Sequence, residues 1–591
     1  MGKVRAAISN HWKQTTYRRS ERTLASERWL FVGLPLVPFN RWALIPSAFL
    51  IQMCVGSLYA WSGFNAPIEQ YVYGVQAVNG RPPDLNIAPV TFYIAVVCFG
   101  VAAAILGPWT ERHGPRAAIH LGATLFFVGN LITAAGISLR TIALVYVGYG
   151  VVGGTGLGIA YISPVSVLQK WFPDRRGITA GLTVAGFGAG TIVATYTQKA
   201  LMAPIGPGGP PTLDVYAVFL VLGTAYFMVM QASGRVLRIP PPNYAVDGVT
   251  VSTIKGADEL DVDGEDDDPA GNDAFLDDDV PPVSRIAVPD EILSTTLNSM
   301  SLSADAVAAP DDDDDADVAE ASTAPTVDAV DPLSMSLTQC LLSRPFLLLY
   351  VAFFGNQICG LLLISKIQTI SMTQFGMSVD AATSVNAAVG AANLCGRFLL
   401  STASDRIGRK SSLLVSLAVQ TLCIALLLVA FDAESSSLFL ACVAVIAFMY
   451  GGGFGVVPAF LSDLFGARHT GPTHGVILTA WSLAAVVGGL LFTSLYNRET
   501  AALGAHNAHV YDLNGYWILG VVVVALLVGA CIPANIRDRV MPRGADELFR
   551  LRLPNGTLAV VTRACGLATV DKETEDAQWK AYVRQRRQAM P

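Results

Sequence analysis

Nearly charge-free apolar stretches recur along the chain, separated by short polar segments. They run over 42–62, 88–107, 117–138, 142–168, 177–197 and 215–234. After a long acidic tract they resume over 345–368, 380–403, 411–431, 437–462, 472–496 and 514–536. A bilayer core is crossed by about 20 helical residues. In hydrocarbon each backbone polar group must be bonded within its own segment, so runs of this length predict helices. The pattern predicts an all-α membrane protein with twelve transmembrane helices, six on either side of the tract.

Composition supports this reading. The 591 residues are 52% hydrophobic and 14% charged, with a mean hydropathy of +0.47, where a soluble globular chain carries about 25% charged residues. The order of segments is a basic N-terminal tail (1–41), a six-helix bundle (42–234), an acidic linker (235–343), a second six-helix bundle (344–536) and a C-terminal tail (537–591).

The net charge of −7 hides two opposed parts. Residues 239–341 hold 25 Asp and Glu, including Asp311–Asp315, against Lys255 and Arg285, a balance of −23; the remainder carries 37 basic and 21 acidic residues. Rich in Asp, Ser, Ala and Pro, that segment cannot bury enough apolar surface to offset its ordering entropy and is expected to be disordered. It tethers the two halves, and a role for it in regulation or in holding a cytoplasmic partner stays open, since its Ser and Thr are candidates for phosphorylation.

The basic residues report orientation. With the N-terminus cytoplasmic, the tails and short cytoplasmic loops hold 28 Lys and Arg, and the outer loops and adjoining span ends hold five. By the positive-inside rule both termini are cytoplasmic. No signal-peptide cleavage pattern precedes the first span, which is expected to act as an uncleaved anchor. Arg18, Arg19 and Arg22 in the N-terminal tail and Arg584, Arg586 and Arg587 in the C-terminal one either touch anionic lipid or neutralise the acidic segment. Nothing points to nucleic acid, and a monomer in the lipid bilayer is expected.

The halves also match each other at a fixed offset of 294 residues. Gly107-Pro-Trp-Thr-Glu111-Arg112-His-Gly114-Pro-Arg116 after span 2 returns after span 8 as Ser401-Thr-Ala-Ser-Asp405-Arg406-Ile-Gly408-Arg-Lys410. The same offset pairs Pro164 with Pro458, Gly177 with Gly471 and Gly181 with Gly475. Repeated halves place a substrate path between them near the midplane.

The pattern G-x-x-x-(D/E)-R-x-G-x-(R/K) resembles the signature of the major facilitator superfamily, with Ser401 as the one departure in the second copy. The resemblance implies that Gly107, Glu111, Arg112, Gly114, Asp405, Arg406 and Gly408 form gating loops of a major facilitator fold. A narrower resemblance rests on Gln52-Met-Cys-Val-Gly56-Ser-Leu-Tyr59-Ala-Trp61, on Gly153 to Pro164 with Tyr161, and on Lys170-Trp-Phe-Pro-Asp174-Arg175-Arg176-Gly177. Tyr450-Gly-Gly-Gly-Phe-Gly455, Pro458 and Asp463-Leu-Phe-Gly466 continue it. These strings, in this order, are similar to the oxalate–formate antiporter branch and its monocarboxylate-transporter relatives.

Arg397 is the charge placed well inside a span. Asn386, Gly390, Asn393 and Arg397 fall at i, i+4, i+7 and i+11 and form one polar stripe of a helix. A guanidinium offers a planar fork suited to a carboxylate, and the resembling families use an arginine here for that purpose. The alternative reading has Arg397, eight residues before Asp405, reaching the cytoplasmic surface or joining a gating ion pair. Tyr59, Trp61, Tyr161, Gln52, Gln357 and Trp481 are expected either to complete the pocket or to pack as ordinary helix contacts and interfacial aromatics.

Two departures narrow the analogy. Trp481 stands where the oxalate–formate antiporter has a lysine, and Asn393 where proton-coupled relatives have an acid. One cation suits a monoanion better than a dianion, and no Asp or Glu lies in the middle of a span to relay protons. The seven histidines are read as lying outside the spans or at their edges. His506 and His509 form an H-x-x-H without a third ligand, so no metal is expected, and no cofactor is called for. The glycine runs at 148–158 and 451–455 lack the strand and lysine of a phosphate loop and suit close helix crossing. The reading is a transporter of small organic anions, monocarboxylates foremost, working by alternating access as exchanger or facilitator. A proton-coupled symporter and a non-transporting membrane sensor are the alternatives; no enzyme chemistry is indicated.

Overall fold

The computed structural model describes residues 11–12, 27–32, 34–74, 87–205, 211–241, 244–246, 249–250, 335–504, 507–541, 546–552, 557–563 and 566–588. The run Asp311–Asp315, Lys255, Arg285, the basic residues Arg18, Arg19 and Arg22, and His506 lie outside the described residues. In chain order the long helices are α1 (Arg41–Ala60), α2 (Pro89–His113), α3 (Pro115–Ser138), α4 (Ile142–Trp171), α5 (Pro173–Leu201) and α6 (Val215–Gly234). The second set is α7 (Arg344–Thr373), α8 (Val379–Ile407), α9 (Arg409–Asp432), α10 (Ser436–Phe465), α11 (Thr470–Leu503) and α12 (Ala508–Ala530).

Eleven of these are long and apolar enough to cross a membrane. The exception is α8, at 29 residues long enough but diluted by Asn386, Asn393, Arg397 and several serines. A helix that is polar along one stripe and apolar elsewhere can still span when the stripe faces protein. α8 does this, packing on α5, α7 and α10. Serine side chains cap its start and that of α7: Ser378 accepts the N–H of Ala381, and Ser343 that of Phe346.

The repeat seen in the sequence has a structural counterpart. Gly114 (φ +83°) and Gly408 (φ +89°) break α2 from α3 and α8 from α9, in a region of φ that L side chains rarely adopt. Between the halves, α2 packs on α11 and α5 on α8. The glycine runs lie inside α4 and α10, where close helix approach requires them: a Cβ at Gly158 would stand 2.3 Å from the Phe99 carbonyl oxygen, and one at Gly455 would stand 2.3 Å from that of Arg397.

Both tails contain ordered structure. Near the N-terminus β1 (Trp29–Phe31) and β2 (Leu34–Pro38) form a hairpin, held by the Arg238 guanidinium, which donates to the carbonyl oxygens of Trp29 (2.9 Å) and Leu30 (2.5 Å). Near the C-terminus β3 (Glu547–Arg552), β4 (Leu558–Thr562) and β5 (Gly566–Val570) make an antiparallel sheet, followed by α13 (Lys572–Gln588). Arg552 ties these pieces together, donating to Asp538 (2.8 Å) and Glu575 (2.9 Å).

Candidate functional site

The polar stripe of α8 points into the middle of the bundle. Arg397 has no exposed area; its guanidinium carbon lies 4.4 Å from the ring centre of Phe454 on α10 and 4.9 Å from that of Phe187 on α5. Nε donates to Asn393 Oδ1 at 2.8 Å, one helical turn back. Nη1 and Nη2 are buried and have no hydrogen-bond partner of proper geometry. No salt bridge joins Arg397 to an acid among the described residues, although its charge acts on the hydroxyls of Tyr59, Tyr161 and Tyr450. The side chain therefore turns toward the core rather than toward the membrane surface.

Around this cation the halves meet through aromatic side chains. The hydroxyls of Tyr59 and Tyr450 hydrogen-bond to each other, and Trp481 Nε1–H donates to both, at 2.9 Å and 3.3 Å. Phe99 stands edge-on to Trp481 at 5.2 Å and packs on Tyr161 at 5.4 Å. Gln52 donates to the Tyr161 carbonyl oxygen at 2.8 Å, leaving its own Oε1 without a partner. The hydroxyl of Tyr161 likewise makes no hydrogen bond of proper geometry.

Arg397, Asn393, Tyr59, Tyr161, Trp481 and Gln52 thus belong to one connected region. Two other residues do not. Gln357 donates to Asn356 Oδ1 at 2.8 Å, and Asn356 donates to Ser416, a polar cluster inside the second half. Trp61 donates to the Ala88 carbonyl oxygen and packs among Tyr149, Phe64 and Phe219 within the first half.

The signature segments close one end of the bundle, which we term the signature end. They are the last turns of α2 and α8, with only Gly114 and Gly408 leaving the helix, so most of the expected gating loop is helical. Asp405 accepts the N–H groups of Gly177 and Ile178 at 3.1 Å each, where the start of a helix favours negative charge. A Cβ at Gly177 would stand 2.5 Å from Asp405 Oδ1. At the matching position of the other half, a Cβ at Gly471 would stand 2.4 Å from Glu111 Oε1. Glu111 is held by Lys170 and by Ser166 Oγ (2.6 Å).

Asp463 completes the closure, accepting from Arg176 of the first half (3.3 Å) and Arg409 of the second (3.0 Å). Gly107 packs against Pro472, where a Cβ would be 2.9 Å from its Cα. Arg112 meets His11 and the Pro108 carbonyl oxygen, whereas Arg406 is exposed; the cation that bridges the halves is Arg176, while Arg409 pairs with Asp463 and Asp405 of its own half. Both occur in or beside motif strings, but spacing alone does not show which arginine turns across the interface.

Toward the opposite end the halves also touch. Tyr93 of α2 stacks on Gly489 of α11, where a Cβ would be 2.8 Å from the ring, and Lys199 reaches Asp380 at 3.8 Å. With Arg397, Tyr161 and Trp481 each at most 1% exposed, the chain is captured in an occluded arrangement.

One histidine adds a group that the sequence did not single out. His474 lies inside α11, 1% exposed, with both ring nitrogens unpartnered and its ring 5.7 Å from that of Tyr161. It stands in the first turns of α11, which begins at Thr470, as a span-edge position implies, but it is buried there. His509 pairs with Asp512 at 2.9 Å.

Two pseudo-equivalent six-helix sets, closed by a duplicated acid-to-helix-start contact around a buried polar centre, define a membrane transporter. The Major Facilitator Superfamily model matches residues 48–489, and the chain belongs to that superfamily. It is similar to the oxalate:formate antiporter of Oxalobacter formigenes, 21% identical over 76% of this chain and 84% of that one. It is also similar to apicoplast pyruvate carrier 1 of Toxoplasma gondii, 24% identical over 34% of this chain and 46% of that one. Among solved structures, the proton:xylose symporter XylE shares the fold, with a TM-score of 0.54 at 14% identity over 83% of this chain and 95% of that one.

Proposed function

We propose that the protein carries small organic anions, monocarboxylates foremost, by alternating access, with Arg397 receiving the carboxylate. The observation that carries this reading is a fully buried guanidinium whose two terminal nitrogens have no hydrogen-bond partner of proper geometry. An isolated buried cation costs several kcal/mol; a carboxylate bound by both nitrogens would cancel the charge and satisfy the donors. Phe187 and Phe454 flank the guanidinium and Trp481 packs on Phe454, apolar walls suited to a short apolar tail.

Rocking would then proceed in two coupled steps. Opening the signature end separates Asp405 from Gly177 and Asp463 from one of its arginines, exposing Arg397 to the cytoplasm. Reforming those contacts and parting Tyr93 from Gly489 exposes it to the other side. The names of the relatives, one an antiporter of two small carboxylates and one a pyruvate carrier, support the substrate class.

The test is exchange of a panel of labelled carboxylates in proteoliposomes. One or more monocarboxylates should exchange, and Arg397→Ala should reduce that exchange by at least about 30-fold, as expected for losing roughly 2 kcal/mol of buried charge pairing. Full exchange in a folded Arg397→Ala variant would remove the assignment.

A further inference from the structure

Helix α11 carries His474 and Trp481 seven residues apart, two turns along one face. Trp481 binds Tyr59 and Tyr450 at the centre. His474 therefore stands on the same face, toward the signature end. It packs on Tyr161 at 5.7 Å, and Tyr161 in turn lies within the field of Arg397. Next to His474 on the helix, Gly475 meets the backbone of α2, where a Cβ would be 2.2 Å from the Ala103 carbonyl oxygen. The ring thus lies where α2, α4 and α11 of the two halves meet, a junction that alternating access must open.

The groups around it are known. α4 presents Tyr161. α2 presents Glu111, which lies beside Gly471 one turn earlier and is bonded to Lys170 of α4. Tyr450 of α10 and Tyr59 of α1 lie two turns further on at Trp481. From α7, Tyr350 bonds to Thr479 at 2.9 Å, and His469 precedes the helix. An imidazole whose two buried nitrogens are both unpartnered is an incomplete site.

Charge balance connects this ring to the anion site. In the empty carrier, a protonated His474 would be a second cation in the compartment that holds Arg397. A carboxylate on Arg397 cancels the first cation and makes the second less costly. By linkage, each ligand then favours the other's binding.

We propose that His474 is the proton-binding site of the translocation path, taking a proton from water on one side together with the anion and releasing it with that anion on the other. This rests on the carboxylate reading of Arg397. It also supplies the proton carrier that the absence of an acid in the middle of the spans had left without a candidate.

The experiment uses the full chain in proteoliposomes with labelled pyruvate. Two measurements are made: self-exchange at equal pH, and net accumulation with pH 6 outside and pH 8 inside. At one proton per anion a two-unit gradient can drive about 100-fold accumulation. The wild type should accumulate pyruvate and alkalinise a lightly buffered external medium on pyruvate addition. His474→Gln should keep exchange within about fivefold and accumulate none, and Arg397→Gln should lose both.

Accumulation by His474→Gln at the wild-type level overturns the proposal, as does wild-type exchange with neither accumulation nor alkalinisation. Should His474→Gln fail to fold, His474→Asn takes its place in both measurements with the same expected outcomes. Absence of exchange for pyruvate and every other small carboxylate tested instead overturns the carboxylate reading, and this inference with it.

Discussion

The indole N–H of Trp481 donates to the hydroxyl of Tyr59 at 2.9 Å, and this bond joins the second half of the chain to the first at the level of the buried cation. In the branch the sequence resembles, a lysine stands at the Trp481 position. Replacing a cation by an indole keeps a donor but removes a charge, so the site is left with Arg397 as its positive group. Trp481→Lys should therefore widen carriage toward oxalate. Competition of unlabelled oxalate against labelled pyruvate should strengthen at least about tenfold, with some loss of thermal stability because Phe99 and Phe454 lose a ring neighbour.

Tyr161 offers a different contrast. Its hydroxyl is buried without a hydrogen bond of proper geometry and interacts with the nearby Arg397 guanidinium, so removing it should cost this state little. Tyr161→Phe should leave the melting temperature unchanged within about 2 °C while raising the KM for exchange several-fold, if the hydroxyl helps hold the carboxylate beside Arg397. Thermal unfolding in detergent and exchange kinetics on the same preparation separate these effects.

At the signature end, Gly177 and Gly471 have no room for a side chain. A Cβ at either would stand 2.5 Å or 2.4 Å from a carboxylate oxygen, too close for any real contact. Gly177→Ala and Gly471→Ala should each bias the carrier toward opening at this end. A cysteine introduced at Ser404, buried beneath Arg409, should become labelled by a water-soluble maleimide at least about fivefold faster in either variant.

Asp463 holds one arginine from each half. Asp463→Asn leaves Arg176 and Arg409 with less counter-charge in a buried setting, a change that costs about 3–5 kcal/mol where a buried pair is broken. The expected result is a lower melting temperature together with the same increase in Ser404-site labelling. Unchanged stability would show that Asp405 and solvent already satisfy both cations.

For the acidic linker, deletion of 245–335 should leave exchange within about twofold of the full chain. A sensor would instead keep ligand binding and lose its signal, with no exchange in either form, and liposome exchange by the deleted chain distinguishes the two.

Much of the architecture was readable from the order of residues. Hydrocarbon length and backbone hydrogen bonding fix a helix wherever some twenty apolar residues run together, and the predicted spans match the observed helices to within a few residues at most ends. The 294-residue offset showed the repeat because both copies face the same packing demand: an acid at one helix end against a glycine at the start of another. Arg397 stood out because an ion in an apolar segment is costly and so requires a reason.

Tertiary structure decided which neighbours those residues meet. Helical periodicity gives the face on which a side chain lies, but not what the face is packed against. Gln357 and Trp61 proved to bond within their own halves, while Tyr450, Arg176 and Asp463 bond across them. His474 stands in the first turns of α11 as the sequence implies, and only the packing of α2 and α4 against that helix buries its ring without a partner. Sequence thus determined the spans, the repeat and the one intramembrane cation, because these follow from local solvation. The closed centre around that cation came from contacts between residues hundreds of positions apart, and no local pattern specifies those.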